Sequence, residues 1–205
     1  FKGGDVIHQF SKTSAFLFDK TGTLTEGNMA VSSILSFAEH EKESHLSTLA
    51  GMEQKAEHPL SQAILTYAEA CGIFIKPVEN VRVYRGRGIA SEYDGHVFLA
   101  GNETLLKEFS RCELSVEEEK AIRAVKDKGE TPVLFTKDGK LCLLLGIRDC
   151  IRKNAKETIK HLKKRCAGQM IMLTGDHSQA AQIVSDELGL DAFYAGLLLC
   201  FKICS

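Results

Sequence analysis

The sequence lacks the features that would insert it in a bilayer, mark it for export or attract it to nucleic acid. No stretch approaches the ~18 apolar residues that a spanning helix needs, and the N-terminus has no signal-peptide pattern. Its 26 basic and 27 acidic side chains leave a net charge of −1, so there is no broad field to attract a polyanion. We therefore expect no nucleic-acid partner, and we expect any membrane role to belong to sequence outside this chain.

The cysteines have no paired spacing. Seven cysteines are odd in number, and no two of them form a C-x-x-C pair. Reduced, mostly buried thiols are therefore favoured over a disulfide framework or a metal site, which in turn favours the cytosol. Internal repeats and low-complexity segments are also missing. With 44% hydrophobic and 26% charged residues, the composition is that of a folded protein.

Short apolar runs that end in polar turns indicate an α/β pattern at both ends of the chain. Residues 14–18 form such a run, which ends at Asp19, and residues 169–173 form another, which ends in Thr174-Gly175-Asp176. A helix over 177–188 and a strand at 192–194 are expected to follow. Ligands of open α/β sheets bind outside the carboxyl ends of the strands, so both polar turns are candidate sites.

The middle of the chain has helices followed by alternating strands. The expected helices cover 42–55, 58–71, 102–109 and 115–128, and the expected strands cover 79–84, 88–93, 96–100, 132–136 and 141–147. Asp94-Gly95 and Asp138-Gly139 are typical hairpin turns. The sequence predicts an α+β domain with an antiparallel sheet at residues 33–136. This domain is inserted into an α/β domain made from residues 1–32 and 137–205.

The strongest chemical signal is the segment that runs from Asp19 to Thr25, Asp-Lys-Thr-Gly-Thr-Leu-Thr. A carboxylate at a strand tip can attack a phosphoryl group while the N–H groups and hydroxyls of the following turn hold the phosphate oxygens. A lone Asp would more simply cap a turn, but seven specified residues in order favour the chemical interpretation. The segment resembles the DKTGTLT phosphorylation signature of P-type ATPases, which lies on a Rossmann-like domain of the haloacid-dehalogenase type.

This resemblance implies a catalytic set. Asp19 would be the nucleophile on the γ-phosphate of ATP, followed by Lys20, and Mg²⁺ would be held by the Asp19 carboxylate and the backbone carbonyl of Thr21. Thr174-Gly175-Asp176 resembles the family's TGD motif, whose Thr hydroxyl helps to hold the transferred phosphoryl group. Asp149 and Arg152 resemble a D-x-x-R segment whose Arg neutralises phosphate charge, although a solvated surface pair accounts for them equally well.

The middle domain carries the signal for a subfamily. Glu57-His58-Pro59-Leu60 resembles the EHPL segment of heavy-metal-transporting members, and Glu53, Gly86-Arg87-Gly88 and Gly101-Asn102 match their nucleotide-contact positions. A Glu can accept from the adenine amino group, a His can stack beside it, and glycines allow close backbone approach. Singly, each match is an ordinary turn or helix cap. The expected nucleotide-binding residues are Glu53, His58, Gly86, Gly88, Asn102 and Arg152.

The resemblance ends before the chain does. After Gly196-Leu197 the family would continue with a lysine that contacts the phosphoryl group and a GDGxND motif that binds Mg²⁺. Residues 198–205 depart from that pattern, and Lys202 is not in the context of the family's lysine. We expect a phosphorylation domain that is incomplete at its C-terminal end and is impaired or unstable.

The resemblance implies the cytosolic catalytic portion of an ATP-driven heavy-metal cation transporter, at the cytoplasmic face of a membrane. Its partners would be ATP and the transmembrane and actuator portions of the parent protein, while the transported cation would bind elsewhere. Two alternatives stay open: an ATP-binding remnant or regulator without phosphorylation, and a soluble haloacid-dehalogenase-like phosphatase. The phosphatase would use a general-acid Asp two residues after the nucleophile, where this sequence has Thr21.

Overall fold

The computed structural model describes residues 13–109, 114–176 and 178–197. Its elements, in chain order, are β1 (Ala15–Asp19), β2 (Thr25–Ser36), α1 (Lys42–Glu53), α2 (Pro59–Ala70), β3 (Arg82–Tyr84), β4 (Gly88–Tyr93), β5 (His96–Gly101), α3 (Glu103–Phe109), α4 (Val116–Asp127), β6 (Thr131–Lys137), β7 (Lys140–Ile151), α5 (Ala155–Arg165), β8 (Gln169–Leu173), α6 (Ser178–Leu188) and β9 (Ala192–Tyr194). The departure expected at 198–205, with Lys202, lies outside the described residues, as does the first residue of the helix expected over 177–188.

The chain divides into two compact units. Unit 1 takes the residues up to Asn28 and from Asp149 onward, and unit 2 is Met29–Arg148. The sequence predicts boundaries at 32/33 and 136/137, and the second lies furthest from the boundaries between the compact units, 28/29 and 148/149. The reason is β7, which pairs with β6 from Thr131↔Ile147 to Lys137↔Lys140 and so keeps residues 140–147 in the sheet of unit 2.

Unit 1 is built on a parallel sheet with the order β1-β8-β9. The register of the first pair runs from Ala15↔Gln169 to Asp19↔Leu173. Its core joins the strands to α5 and α6 through Leu24, Ala155, Ile159, Met170, Met172, Ala181 and Leu188. Because parallel strands point the same way, Asp19 and the turn after Leu173 lie at the same edge of this sheet.

Unit 2 is built on a six-stranded sheet with the order β2-β7-β6-β5-β4-β3, and its pairs from β3–β4 to β6–β7 are antiparallel. Side chains alternate between its two faces. Val133 and Phe135 of β6 join a core with α1 and α2, while Leu134 joins a second core with α3 and α4. This inserted antiparallel sheet and the parallel sheet of unit 1 confirm the fold class that the sequence predicts.

Two elements have no counterpart in the sequence analysis. The strand β2 is a mixed polar and apolar segment, and the helix α5 buries only Ala155 and Ile159 while its last turn is basic. Neither segment has the continuous apolar run or the wide apolar stripe that identifies an element in isolation. Within the described ranges, the structure has no helix with the length and apolar character needed to cross a membrane.

Candidate active site

The two motifs of unit 1 lie side by side. Asp19 is the last residue of β1, and its Cα pairs in the parallel register with that of Leu173, the residue before Thr174. Thr174 is 1% exposed, and its hydroxyl oxygen accepts a hydrogen bond from the backbone N–H of Asp176 at 3.1 Å. The chain thus places a half-buried carboxylate beside a buried hydroxyl, the arrangement expected at the carboxyl edge of a parallel sheet.

Lys20 links the same two motifs. Its side chain is only 11% exposed, and its ammonium forms an ion pair with the Asp176 carboxylate. A buried ammonium is costly unless it is paired, so the pair fixes the Thr174-Gly175-Asp176 turn next to Asp19. The cation also contributes positive charge at this edge of the sheet.

Thr25, to which the sequence analysis gave no separate role, fixes the turn that follows Asp19. Its buried hydroxyl lies 2.6 Å from the Asp149 carboxylate and 3.0 Å from the carbonyl of Lys20. The hydroxyl oxygen also accepts from the backbone N–H of Gly22 at 3.3 Å. The seven-residue motif included Thr25, but its partner Asp149 is distant in sequence, so the contact had no local signal.

Asp149 and Arg152 do not pair with each other. The second Asp149 oxygen accepts from the backbone N–H of Gly27 at 3.1 Å. Arg152 donates from its guanidinium to the carbonyl of Gly22 at 3.0 Å and from its backbone N–H to Leu24 at 3.0 Å. Both residues therefore hold the turn after Asp19, and the exposed guanidinium of Arg152 lies beside that turn.

The oxygen donors of Asp19 and Thr21 suit a hard cation such as Mg²⁺. In the ranges given above, no three His, Cys, Asp or Glu side chains converge on one point where a metal ion could be held. Mg²⁺ commonly keeps several waters and binds through one or two carboxylates together with substrate phosphates. The Asp19 carboxylate and the Thr21 carbonyl fit this mode of binding, in which substrate phosphates and waters complete the coordination shell.

In unit 2, Glu53 is a buried carboxyl with a shifted pKa. It ends α1, is 6% exposed, and has a pKa raised from its ordinary value by burial, an effect partly offset by a hydrogen bond with Ser61. Ser61 is buried in α2. The bond thus connects the end of α1 to the first turns of α2.

His58 and Asn102 both cap helices. The exposed His58 precedes α2, and its Nδ1 accepts from the backbone N–H of Leu60 at 3.2 Å. Asn102 precedes α3, and its side-chain oxygen accepts from Leu105 N–H at 3.1 Å. The Asn102 amide nitrogen also donates to the carbonyl of Gly86 at 3.0 Å. Both residues therefore satisfy backbone groups in addition to any contact with a ligand.

The glycine motif forms a turn at the edge of the sheet, between β3 and β4. We call residues 84–88 the glycine turn. Gly86 has φ +72° and open space where a Cβ would lie, whereas a Cβ on Gly88 would lie 2.1 Å from the carbonyl oxygen of Ala100. Gly88 pairs with Gly101 across β4 and β5, so the two glycines allow the strands to approach closely.

The elements that carry these candidates share one core. Met52, Ile89 and Ala100 are buried together, and Ala56 and Leu60 pack against the same cluster. Glu53, His58, Gly88 and Asn102 each lie within two residues of one of these side chains in the sequence. Four of the nucleotide-binding candidates therefore lie on or beside elements that share the first core of unit 2, whereas Arg152 lies in unit 1.

Comparison with known proteins places the chain in a family. Residues 13–203 match the haloacid dehalogenase-like hydrolase family. The chain is 34% identical over 198 residues to a manganese-exporting P-type ATPase of Mycobacterium bovis, with 96% of this chain and 27% of the relative covered. It is 33% identical over 184 residues to the copper-exporting P-type ATPase B of Archaeoglobus fulgidus, with 90% of this chain and 26% of the relative covered.

A solved structure agrees with these relatives. The chain superimposes on a zinc-transporting PIB-type ATPase in its E2.Pi state with a TM-score of 0.83 and 30% identity, covering 96% of this chain and 31% of that one. The chain spans about a quarter of the length of the curated relatives that it matches. The chain belongs to the haloacid dehalogenase-like hydrolases, and within them it is related to the catalytic portion of heavy-metal P-type ATPases.

Proposed function

We propose that this chain is the cytosolic catalytic portion of an ATP-driven heavy-metal cation transporter and that Asp19 carries an aspartyl phosphate during its cycle. The observation that supports the proposal best is the position of Asp19. It ends a parallel strand, inside a complete phosphorylation signature, beside the buried Thr174 hydroxyl of the neighbouring strand. The related exporters and the solved zinc-transporting ATPase favour the same function.

In the proposed reaction an Asp19 carboxylate oxygen attacks the γ-phosphorus of ATP. The bond from that phosphorus to the β,γ-bridging oxygen breaks, and ADP leaves with the bond's electron pair. The Thr174 hydroxyl and the backbone N–H groups of the turn after Asp19 hold the phosphoryl oxygens. Hydrolysis of the acyl phosphate then restores the carboxylate and releases inorganic phosphate.

Charge control is the main requirement, because an anionic nucleophile must approach an anionic phosphate. Lys20 and Arg152 supply the cationic groups that lie near Asp19. Mg²⁺, when bound at Asp19 and Thr21, would offset further negative charge on the phosphates. The Asp149 carboxylate is occupied by Thr25 and Gly27, so its role is to keep the turn after Asp19 in shape.

The phosphoryl donor in this proposal is ATP bound by unit 2. Glu53 accepts from the adenine amino group, His58 stacks beside the base, and the glycine turn approaches the nucleotide with its backbone. Asn102 holds that turn. The transported cation binds in the transmembrane portion of the parent protein, and the chain works at the cytoplasmic face of the membrane.

The decisive test is transfer of label from [γ-³²P]ATP to the full chain in the presence of Mg²⁺. We expect an acid-stable adduct that hydroxylamine releases and that is absent in Asp19→Asn. Asp186→Asn is the matched control, because Asp186 is an exposed carboxylate in the same unit that accepts a hydrogen bond from Gln182. Label that persists in Asp19→Asn, or label lost equally in Asp186→Asn, would contradict the assignment of Asp19.

A second function, ATP binding without phosphorylation, is favoured by one observation. Glu53, His58, Gly86, Gly88 and Asn102 all lie in unit 2, which has its own two cores. ATP binding by unit 2 therefore does not require chemistry at Asp19. Calorimetric binding of ATP that is equal in the parent chain and in Asp19→Asn, with no labelled adduct in either, would select this function.

A further inference from the structure

In the described ranges, the sheet supports the glycine turn from one side. The strand β3 has three residues and is the last strand in the order, and no further described strand lies beside it. Within the turn, the backbone N–H of Arg87 donates to the Tyr84 carbonyl at 3.0 Å, and Tyr84 pairs with Gly88 across β3 and β4. Short turns at a sheet edge are among the least stable parts of a fold, so their geometry depends on what else holds them.

The helix α3 supplies that support at both of its ends. Before its first turn, Asn102 donates from its side chain to Gly86 O at 3.0 Å and from its backbone to Arg87 O at 2.9 Å. At its last turn, Glu108 forms an ion pair with the Arg87 guanidinium. The ring of Phe109 lies against that of Tyr84, with centroids 4.4 Å apart and planes inclined by 46°.

The helix α3 is anchored in the core by its inward side chains. Its seven residues span about 10 Å, and its inward side chains Leu105 and Leu106 are 0% and 2% exposed. The outward side chains of Glu108 and Phe109 are both more than 40% exposed. Glu108 and Phe109 therefore contribute little to the buried core. Their contacts with the glycine turn are the interactions that they supply.

We propose that Glu108 and Phe109 are positioning residues that hold the glycine turn in the conformation that receives the nucleotide. This inference rests on the proposed nucleotide site in unit 2. A loop that is already ordered loses less conformational freedom when a ligand binds, so these contacts raise affinity without touching the nucleotide. Neither residue is among the nucleotide-binding residues that the sequence motifs predict.

The test compares variants of the full chain in calorimetric titrations with the non-hydrolysable ATP analogue AMP-PNP and Mg²⁺. We expect Glu108→Gln to weaken binding up to about fivefold and Phe109→Leu to weaken it about two- to tenfold. Phe109→Tyr, which keeps the ring contact, should bind like the parent chain. Hydrogen exchange at residues 85–88 should become faster in the two weakened variants, while the thermal midpoint stays within about 2 °C of the parent's.

The matched control is Glu103→Gln. Glu103 lies on the same helix and forms an ion pair of similar exposure with Lys126 of α4, a partner outside the glycine turn. We expect it to change neither affinity nor exchange at residues 85–88. Parent-like binding by both Glu108→Gln and Phe109→Leu would overturn this inference and leave the nucleotide site standing. A parent chain that binds no AMP-PNP would overturn the nucleotide site and this inference with it.

Discussion

In unit 1 the candidate side chains contact other side chains, whereas in unit 2 the side chains of His58 and Asn102 bond to nearby backbone groups. Lys20 pairs with Asp176, and Thr25 with Asp149, so two motifs distant in sequence are joined through side chains. His58 and Asn102 instead cap helices. The candidate side chains of unit 1 therefore connect two distant motifs, whereas those of unit 2 fix the local shape of the chain.

The largest effect should come from changing the shape of unit 2 at Gly88. In Gly88→Ala, the new Cβ would lie 2.1 Å from the carbonyl of Ala100, at a φ of +144° that L-residues rarely adopt. Strain and overpacking together predict a loss of about 2–5 kcal/mol in the free energy of unfolding, measured by urea denaturation.

Gly86→Ala is the control for that prediction. Its φ of +72° strains an alanine, but its Cβ would meet nothing within 4 Å, so the expected loss is about 1–2 kcal/mol. Equal losses in the two variants would show that backbone conformation alone, and not the close approach of β4 and β5, fixes the glycine at position 88.

The second largest effect should come from the ion pair of unit 1. Asp176→Asn leaves the ammonium of the buried Lys20 without its carboxylate partner, which is costly in a desolvated site. Because the Asp176 side chain is 39% exposed, solvent screening reduces this cost to about 1–3 kcal/mol. Thermal and urea unfolding of the variant measure it.

Asp186→Asn serves as the reference for the ion-pair experiment and should change stability by less than about 0.5 kcal/mol. The double variant Lys20→Met/Asp176→Asn, which removes the buried charge, should recover part of the loss. If Asp176→Asn is as stable as Asp186→Asn, the pair does not hold the Thr174-Gly175-Asp176 turn.

The sequence predicted the local part of this architecture and missed the part that depends on distant partners. Apolar runs that end in polar turns located Asp19 and Thr174 at strand tips, because that signal is contained in a few consecutive residues. The hydrogen bond between Thr25 and Asp149 joins residues 124 positions apart, and no local sequence pattern near either residue predicts it. The second boundary between the compact units lies at 148/149 and not at 136/137 for the same reason, because it depends on the pairing of β7 with β6.

The roles of the nucleotide candidates show a further limit of reasoning from sequence. The motifs located Gly88 and Asn102, but the sequence alone could not show that Gly88 packs against Gly101 or that Asn102 bonds to Gly86. Glu108 and Phe109 gave no motif signal, because an exposed helix end with one acidic and one aromatic residue is common. Their contacts with the glycine turn depend on how α3 packs against the sheet.

A smaller effect, dependent on pH, is expected at Glu53. Burial raises the pKa of its carboxyl in the folded state above the ordinary 4.5, so between these two values the folded chain binds more protons than the unfolded chain. The stability that Glu53 contributes is therefore present below pH 4.5 and is lost as pH rises through the folded pKa. In Glu53→Gln this loss disappears.

Urea denaturation at several pH values tests the role of Glu53. The stability of Glu53→Gln relative to the parent chain should increase as pH rises above 4.5 and then level off. Glu57→Gln is the control, because Glu57 is exposed and lies four residues further along the chain. A constant difference between Glu53→Gln and the parent chain at all pH values would mean that the carboxyl of Glu53 titrates alike in both states.

The smallest effect on stability should come from His58, where shape and binding can be separated. His58→Ala removes the acceptor for Leu60 N–H at the start of α2, which costs about 0.5–1 kcal/mol, whereas His58→Asn restores a good cap and should unfold like the parent chain. If the imidazole also stacks on adenine, His58→Asn will still weaken AMP-PNP binding as much as His58→Ala does, in calorimetric titrations with Mg²⁺. If His58→Asn has the stability and the affinity of the parent chain, His58 acts only as a helix cap. The nucleotide site would then depend on Glu53 and the glycine turn.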